Sequence, residues 1–200
     1  MRAQLRKYID DLSDKVRKAC GFDDNRFPVD LELCVANIGG DMVRAERRPQ
    51  SIIEKVGSES FRVSVWQGMS PSKDRMCVAH ELGHLFLHMG FCVDEDNWNA
   101  FSAGQEDPKR LFGYMDIDYE ARSFGLAFLI PRYALEHEVW KQQGGGRVDL
   151  KPIAAHFGVA ADDVREQGQW LGVFYRDFWP WLSTLVAVPW TTASVDGHAS

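Results

Sequence analysis

An HExxH motif occupies residues 80–84 and constrains this 200-residue chain more than any other feature. Its flanks are typical of a helix, because Ser70 before Pro71 suits a helix N-terminus and Gly90 suits a C-terminal cap. Residues four apart on a helix differ by about 40° in direction and about 6 Å in height. His80 and His84 therefore point from one face on consecutive turns, where both imidazoles can bind a single metal ion.

Glu81 lies about 100° round the predicted helix from His80, on the side of His84. There it can accept a proton from a metal-bound water, which makes it the candidate general base. An apolar core tolerates unpaired imidazoles and a carboxylate badly, and a metal ion removes that cost. The motif therefore predicts a zinc site rather than two core histidines. The apolar residues around it are Val78, Ala79, Leu82, Leu85, Phe86 and Leu87.

A catalytic zinc ion usually takes three protein ligands and one water. His88 lies about 12 Å along the helix from His80, which is too far for the two to share the ion. The third ligand must then come from elsewhere in the chain. The next predicted helix, which starts near residue 117, offers three candidate carboxylates at its beginning: Glu120, with Asp116 and Asp118 as rivals.

Residues upstream of the motif alternate between apolar and polar side chains, as strands do. The strand candidates are 42–47, 52–56 and 61–66, and they predict a three-stranded antiparallel meander that leads into the HExxH helix. Helical periodicity predicts an amphipathic helix over 1–20, a short helix over 28–38 and further helices after residue 117. The expected fold class is therefore α+β, with a small antiparallel sheet packed against the HExxH helix and the other helices.

Composition excludes some classes of function. The formal net charge is -6, and a segment at 150–172 that resembles a helix-turn-helix has no basic recognition helix, so we expect no direct nucleic-acid binding. The four cysteines form no CxxC pair and are expected to be reduced. Residues 1–14 contain no apolar signal segment, which favours a cytoplasmic protein.

The C-terminal residues 178–195 carry no charge and are rich in aromatic residues and leucine. Pro180 and Pro189 interrupt this stretch, so it is expected to pack on the domain or on a partner rather than to cross a membrane. We therefore divide the chain into a domain at 1–172 and an aromatic-rich tail at 173–200.

Residues 91–119 form the longest irregular stretch of the sequence. They contain seven acids against only two bases, Lys109 and Arg110. The stretch is either a solvated loop or a flap over the metal site, since long loops in compact domains often bind ligands. Its acids are Asp94, Glu95, Asp96, Glu106, Asp107, Asp116 and Asp118.

Two segments together, 75–88 and 119–131, resemble the ImmA/IrrE family of metallo-endopeptidases. The first matches the family's HELGH helix, and the second matches a helix of the pattern Glu-Ala-Asn, Phe-Ala, Leu-Leu-Met-Pro. The weaker resemblance around these helices extends over roughly residues 25–172. It implies a zincin-like fold and a zinc protease of the gluzincin type. Well-known members of the family cut helix-turn-helix transcriptional repressors.

The resemblance implies His80 and His84 as zinc ligands, Glu81 as general base and Glu120 as the third ligand. Arg122 stands where the family commonly has asparagine, and Gly125 where it has alanine. Neither is a ligand in the family pattern, so these departures leave the zinc site intact. Arg122 could instead pair with Glu120.

Peptide hydrolysis also needs a donor for the developing oxyanion. The candidates are Tyr114, Tyr119, His137 and His156, of which Tyr119 is favoured. The expected function is selective cleavage of a regulatory protein, with a helix-turn-helix repressor as the partner. The alternative is a non-cleaving protein that holds a repressor or toxin and is braced by zinc, but a brace needs no base, and Glu81 is present.

Overall fold

The computed structural model describes residues 3–22, 26–46, 52–104, 115–142, 148–175 and 186–187. Over these ranges the chain is an α+β protein, as predicted, with eight helices and a three-stranded sheet. The helices are α1 (Ala3–Ala19), α2 (Leu31–Asn37), α3 (Pro71–Leu87), α4 (Glu95–Ala100), α5 (Met115–Leu129), α6 (Arg132–Trp140), α7 (Leu150–Phe157) and α8 (Ala161–Trp170). The strands are β1 (Gly40–Ala45), β2 (Ile52–Gly57) and β3 (Ser60–Trp66), with a separate short pair β4 (Phe174–Tyr175) and β5 (Val186–Ala187).

The three-stranded sheet is mixed, so the predicted antiparallel meander is wrong. Strands β2 and β3 form the expected antiparallel hairpin, with Ile53 opposite Val63. Strand β1, however, lies on the far side of β3 and runs parallel to it, with Gly40 opposite Phe61. The order across the sheet is β1-β3-β2.

Burial explains why β3 takes the central position. Its alternate residues Phe61, Val63 and Val65 are all buried, whereas β1 has no buried residue along its length. The most apolar strand loses the most water-exposed surface when neighbours cover both of its edges. Alternation along the sequence predicts which residues form strands, but it carries no information about which strands become neighbours.

Helix α3 begins at Pro71, after Ser70 as N-cap, and ends at Leu87. Gly90 has a φ of +80°, a left-handed conformation that reverses the chain after the helix. The HExxH motif therefore lies on a single helix, as the sequence predicts. Its residues near the motif are mostly buried, because α3 packs between the sheet and helix α5.

Helices α3 and α5 approach each other closely through glycine. A Cβ at Gly83 would lie 2.6 Å from the carbonyl oxygen of Ala121, and a Cβ at Gly125 would lie 3.2 Å from the backbone nitrogen of His80. The two contacts run in opposite chain order, so the helices are antiparallel where they cross. This close approach brings the first turns of α5 next to the histidines of α3.

Helix α1 packs on α5, as its amphipathic pattern predicts. Ile9, Leu12 and Val16 are buried in this contact, and the buried guanidinium of Arg17 donates through Nη1 to the carbonyl of Phe128 at 2.9 Å. After α1, Cys20 forms a disulfide with a cysteine of α2, Cys34, which corrects the prediction that all cysteines are reduced. No CxxC spacing announces this pair, because the two cysteines are 14 residues apart in the chain and meet only in the folded structure.

Helices α7 and α8 pack against each other, and α8 also packs against α5 while α7 packs against α6, in agreement with a structural role for the segment that resembles a helix-turn-helix. The start of the predicted tail packs on this unit, since Val173 and Phe174 are buried and a Cβ at Gly168 would overlap the Phe174 ring. Most of the remaining tail lies outside the described residues. Among the residues that the structure describes, no helix is long and apolar enough to cross a membrane.

The described part of the acidic segment is more ordered than the sequence predicted. Residues 95–100 form helix α4, which begins at Asp94 as N-cap, with its carboxylate accepting from the backbone nitrogen of Asn97 at 3.1 Å. Trp98 is buried, and the ammonium of Lys55 lies 4.5 Å from the centre of its ring. The remaining predicted flap, 105–114, lies outside the described residues.

Candidate metal centre

His80 and His84 meet at their Nε2 atoms, which are 3.0 Å apart. Asp118, on the first turn of α5, completes the group: its Oδ1 lies 3.6 Å from His80 Nε2 and 3.5 Å from His84 Nε2. These three side chains could hold a metal ion. The i, i+4 spacing on α3 and the close packing of α5 together produce the arrangement.

The three distances agree with the geometry of a tetrahedral ion. Bonds of about 2.0–2.1 Å at tetrahedral angles separate ligand atoms by about 3.3–3.4 Å. The observed separations of 3.0, 3.5 and 3.6 Å lie within a few tenths of an ångström of that value. Two imidazoles and one carboxylate also form a donor set that suits zinc and related transition metals.

One side of the group faces solvent. The side chain of His84 is 0% exposed and that of His80 is 21% exposed, whereas Asp118 is 57% exposed. A bound ion would therefore be held from the protein interior by His84 and could be reached by water from the side of Asp118. The fourth coordination position of such an ion would then be open on that side.

Glu120, the third ligand implied by the family resemblance, lies next to a different histidine. Its Oε2 is 3.2 Å from the Nε2 of His88. The Nδ1 of His88 is in turn 3.0 Å from the Nδ1 of His84. The structure thus groups Asp118, one of the two rivals in the sequence, with His80 and His84, and it places Glu120 beside His88.

Glu81, the predicted general base, follows His80 in the chain and its side chain is fully buried. Burying a carboxylate is costly unless polar or charged groups surround it. Active sites commonly contain buried carboxylates of this kind. Glu81 is therefore a buried residue of α3 rather than one on a solvated helix face.

Tyr119, the favoured oxyanion donor, points towards α8. Its ring packs edge-to-face on that of Trp170 with centroids 6.2 Å apart, and Tyr119 is 40% exposed. His156 contacts the rings of Phe27 and Phe157. These contacts give each of the two side chains a packing role, and their part in catalysis stays a prediction. Tyr114 and the side chain of the rival ligand Asp116 lie outside the described residues.

Arg122 pairs with α8 rather than with Glu120. Its guanidinium donates to both carboxylate oxygens of Glu166 and, through Nη2, to Asp163 Oδ1 at 3.0 Å. Hydrogen bonding with Glu166 raises the pKa of Arg122, which therefore stays charged. The sequence suggested a pair with Glu120 because the two residues are close in the chain, but the packing of α8 offers two acids instead.

Sequence reasoning excluded His88 as a ligand and then assigned it no role. The signal was present in the sequence, because His80, His84 and His88 follow one another at intervals of four and must share one helix face.

No protein-family model matches the chain, and a comparison with curated proteins finds no match.

Proposed function

We propose that this protein is a zinc-dependent endopeptidase that makes a selective cut in a regulatory protein, with a helix-turn-helix repressor as the expected substrate. The observation that carries the proposal is the near-tetrahedral spacing of His80, His84 and Asp118, together with the buried carboxylate of Glu81, which follows His80 in the chain. The resemblance of the α3 and α5 sequences to ImmA/IrrE peptidases supports the reaction class. In this proposal Asp118 is the third ligand.

Zinc, when bound, would polarise the scissile carbonyl and acidify a water molecule. Glu81 would accept the proton of the attacking water and pass it to the nitrogen of the leaving amine. The burial of Glu81 and His84 would keep bulk water away from this proton transfer. The exposed side at Asp118 would admit the substrate chain.

The charge of the segment that follows α3 supports a basic substrate. The described part of the acidic segment, 91–104, contains Asp94, Glu95 and Asp96 and no lysine or arginine. These acids border a groove of about 580 Å³ that is also lined by Tyr8, Phe86, Leu87 and Val93. A negative field attracts basic chains and raises their encounter rate. Repressors carry basic surfaces for binding DNA phosphates, so they fit this chemistry.

The decisive experiment mixes the purified, zinc-loaded protein with a helix-turn-helix repressor from the same genome and looks for discrete fragments by mass spectrometry. Glu81→Gln should keep the fold and the bound zinc but lose turnover, because it removes a proton acceptor and no metal bond. Glu32→Gln is a matched control, since it makes the same chemical change on an exposed surface of α2. It should cut like the wild type.

The alternative function, a zinc-braced binding protein, predicts a different result. The repressor would then bind and remain intact with both wild type and Glu81→Gln. Cleavage by Glu81→Gln at the wild-type rate would instead contradict the proposed mechanism.

A further inference from the structure

The row of histidines on α3 continues past the metal group. The two ring nitrogens of His84 face different partners: Nε2 faces His80 and Asp118, whereas Nδ1 lies 3.0 Å from His88 Nδ1. The other nitrogen of His88 lies 3.2 Å from the carboxylate of Glu120. The exposed fractions are 0% for the His84 side chain, 10% for His88 and 28% for Glu120, so the contacts within this series are largely shielded from water.

A neutral imidazole has one nitrogen that donates and one that accepts, so each proton position in this series fixes the next. An ionised carboxylate only accepts, so Glu120 favours the His88 tautomer with its proton on Nε2. His88 Nδ1 is then an acceptor and favours a proton on Nδ1 of His84. This leaves the lone pair of His84 Nε2 directed towards His80 and Asp118.

The opposite assignment would place a lone pair of His88 Nε2 against the Glu120 carboxylate. It would also place a proton on His84 Nε2, where a metal ion has to bind. Glu120 disfavours that assignment by repulsion between lone pairs, even though it lies two contacts away from Nε2 of His84.

We propose that Glu120 and His88 are positioning residues that hold His84 in its metal-binding tautomer. Carboxylate or carbonyl groups behind a ligating histidine commonly perform this task, and their loss typically costs about 10–100-fold in metal affinity. Here a second histidine carries the effect of the carboxylate to the ligand. The inference rests on the proposed metal site, but it does not depend on peptide hydrolysis.

Nitrogen NMR of histidine-labelled, metal-free protein tests the tautomer directly. At about pH 8, above the usual imidazole pKa of about 6.5, the wild type should show His84 protonated on Nδ1. Glu120→Ala should shift His84 towards the other tautomer, because it removes the acceptor that favours the proton on His88 Nε2. An unchanged His84 signal in this variant would overturn the proposal.

Zinc affinity, measured by competition with a chelator, tests the consequence. His88→Leu should weaken zinc binding by about 10–100-fold. His88→Gln should recover most of that loss, because its amide oxygen can accept from His84 Nδ1. Lys73→Leu is the control, since it places leucine at an exposed position of the same helix, and it should bind zinc like the wild type.

A double variant separates positioning from direct ligation. Once His88→Ala is present, adding Glu120→Ala should change zinc affinity less than twofold, because no side chain then connects Glu120 with His84. If Glu120 were itself a ligand, its full loss would persist in that background, and the proposal would be overturned. This comparison holds even if His88→Leu fails to fold.

The two proposals also fail separately. If His88 and Glu120 affect the His84 tautomer but no repressor is cut, the peptidase function is rejected and the positioning role remains. Cleavage with no effect of His88 or Glu120 on the His84 tautomer would do the reverse.

Discussion

Two carboxylates at the start of α5 meet the histidines of α3 in different geometries. Asp118 lies within 3.6 Å of two imidazole nitrogens at once and is 57% exposed, whereas Glu120 contacts His88 and is 28% exposed. The side chains of the first arrangement converge on one point, whereas those of the second form a series of contacts from Glu120 through His88 to His84. We therefore propose different tasks for two side chains with the same functional group, because only convergent donors with an open side can hold a reactive ion.

The largest expected effect is at the convergent end of this pair. His80→Ala should weaken zinc binding by about 10²–10³-fold, because it removes one of four ligands from a total of about 10–16 kcal/mol. Metal content after dialysis against a weak chelator measures the loss. Near-normal zinc content in His80→Ala, with the fold intact by circular dichroism, would show that His80, His84 and Asp118 do not form the zinc site.

A matched pair of substitutions sharpens the comparison between the carboxylates. Asp118→Asn should lower zinc affinity more than Glu120→Gln, because the first weakens a direct metal bond and the second acts only through His88 and His84. Both variants remove one charge and keep the shape of the side chain. If the order is reversed, Glu120 is the third ligand, as the family resemblance implies.

Gly83→Ala tests the helix contact that brings both carboxylates into place. The new Cβ would overlap the backbone of Ala121, so the helices must separate, at a cost of about 1–3 kcal/mol in the free energy of unfolding. Such a loss would lower the melting temperature of a chain of this size by several degrees, at about 2–4 °C per kcal/mol. Lys73→Ala, at an exposed position of the same helix, should leave both the melting temperature and zinc affinity unchanged.

The smallest effect concerns the surface charge of α4. Glu95→Gln with Asp96→Asn should slow cleavage of a basic substrate several-fold at low salt and hardly at all at high salt, because such attraction is screened. Asp94 is left intact, since it caps α4. Glu32→Gln with Asp162→Asn changes the net charge equally on other helices and should leave the rate unaltered. Equal rates for both double variants at low salt would show that the acids near the groove do not steer the substrate.

The sequence by itself determined the HExxH helix and its boundaries, because the proline and glycine signals and the spacing of the histidines are local properties of the chain. It also indicated the strands, through the period of two in the 52–66 segment. These features depend on neighbours within a few residues, which a single sequence displays directly.

Only the tertiary structure decided which strands are neighbours, which cysteines meet and which carboxylate faces the histidines. Asp118 and Glu120 are two residues apart, and each offers a carboxylate at the start of the same helix. The choice between them follows from how far α5 is rotated and how closely it approaches α3 at Gly83 and Gly125. That rotation results from packing between residues distant in the chain, so no local pattern encodes it.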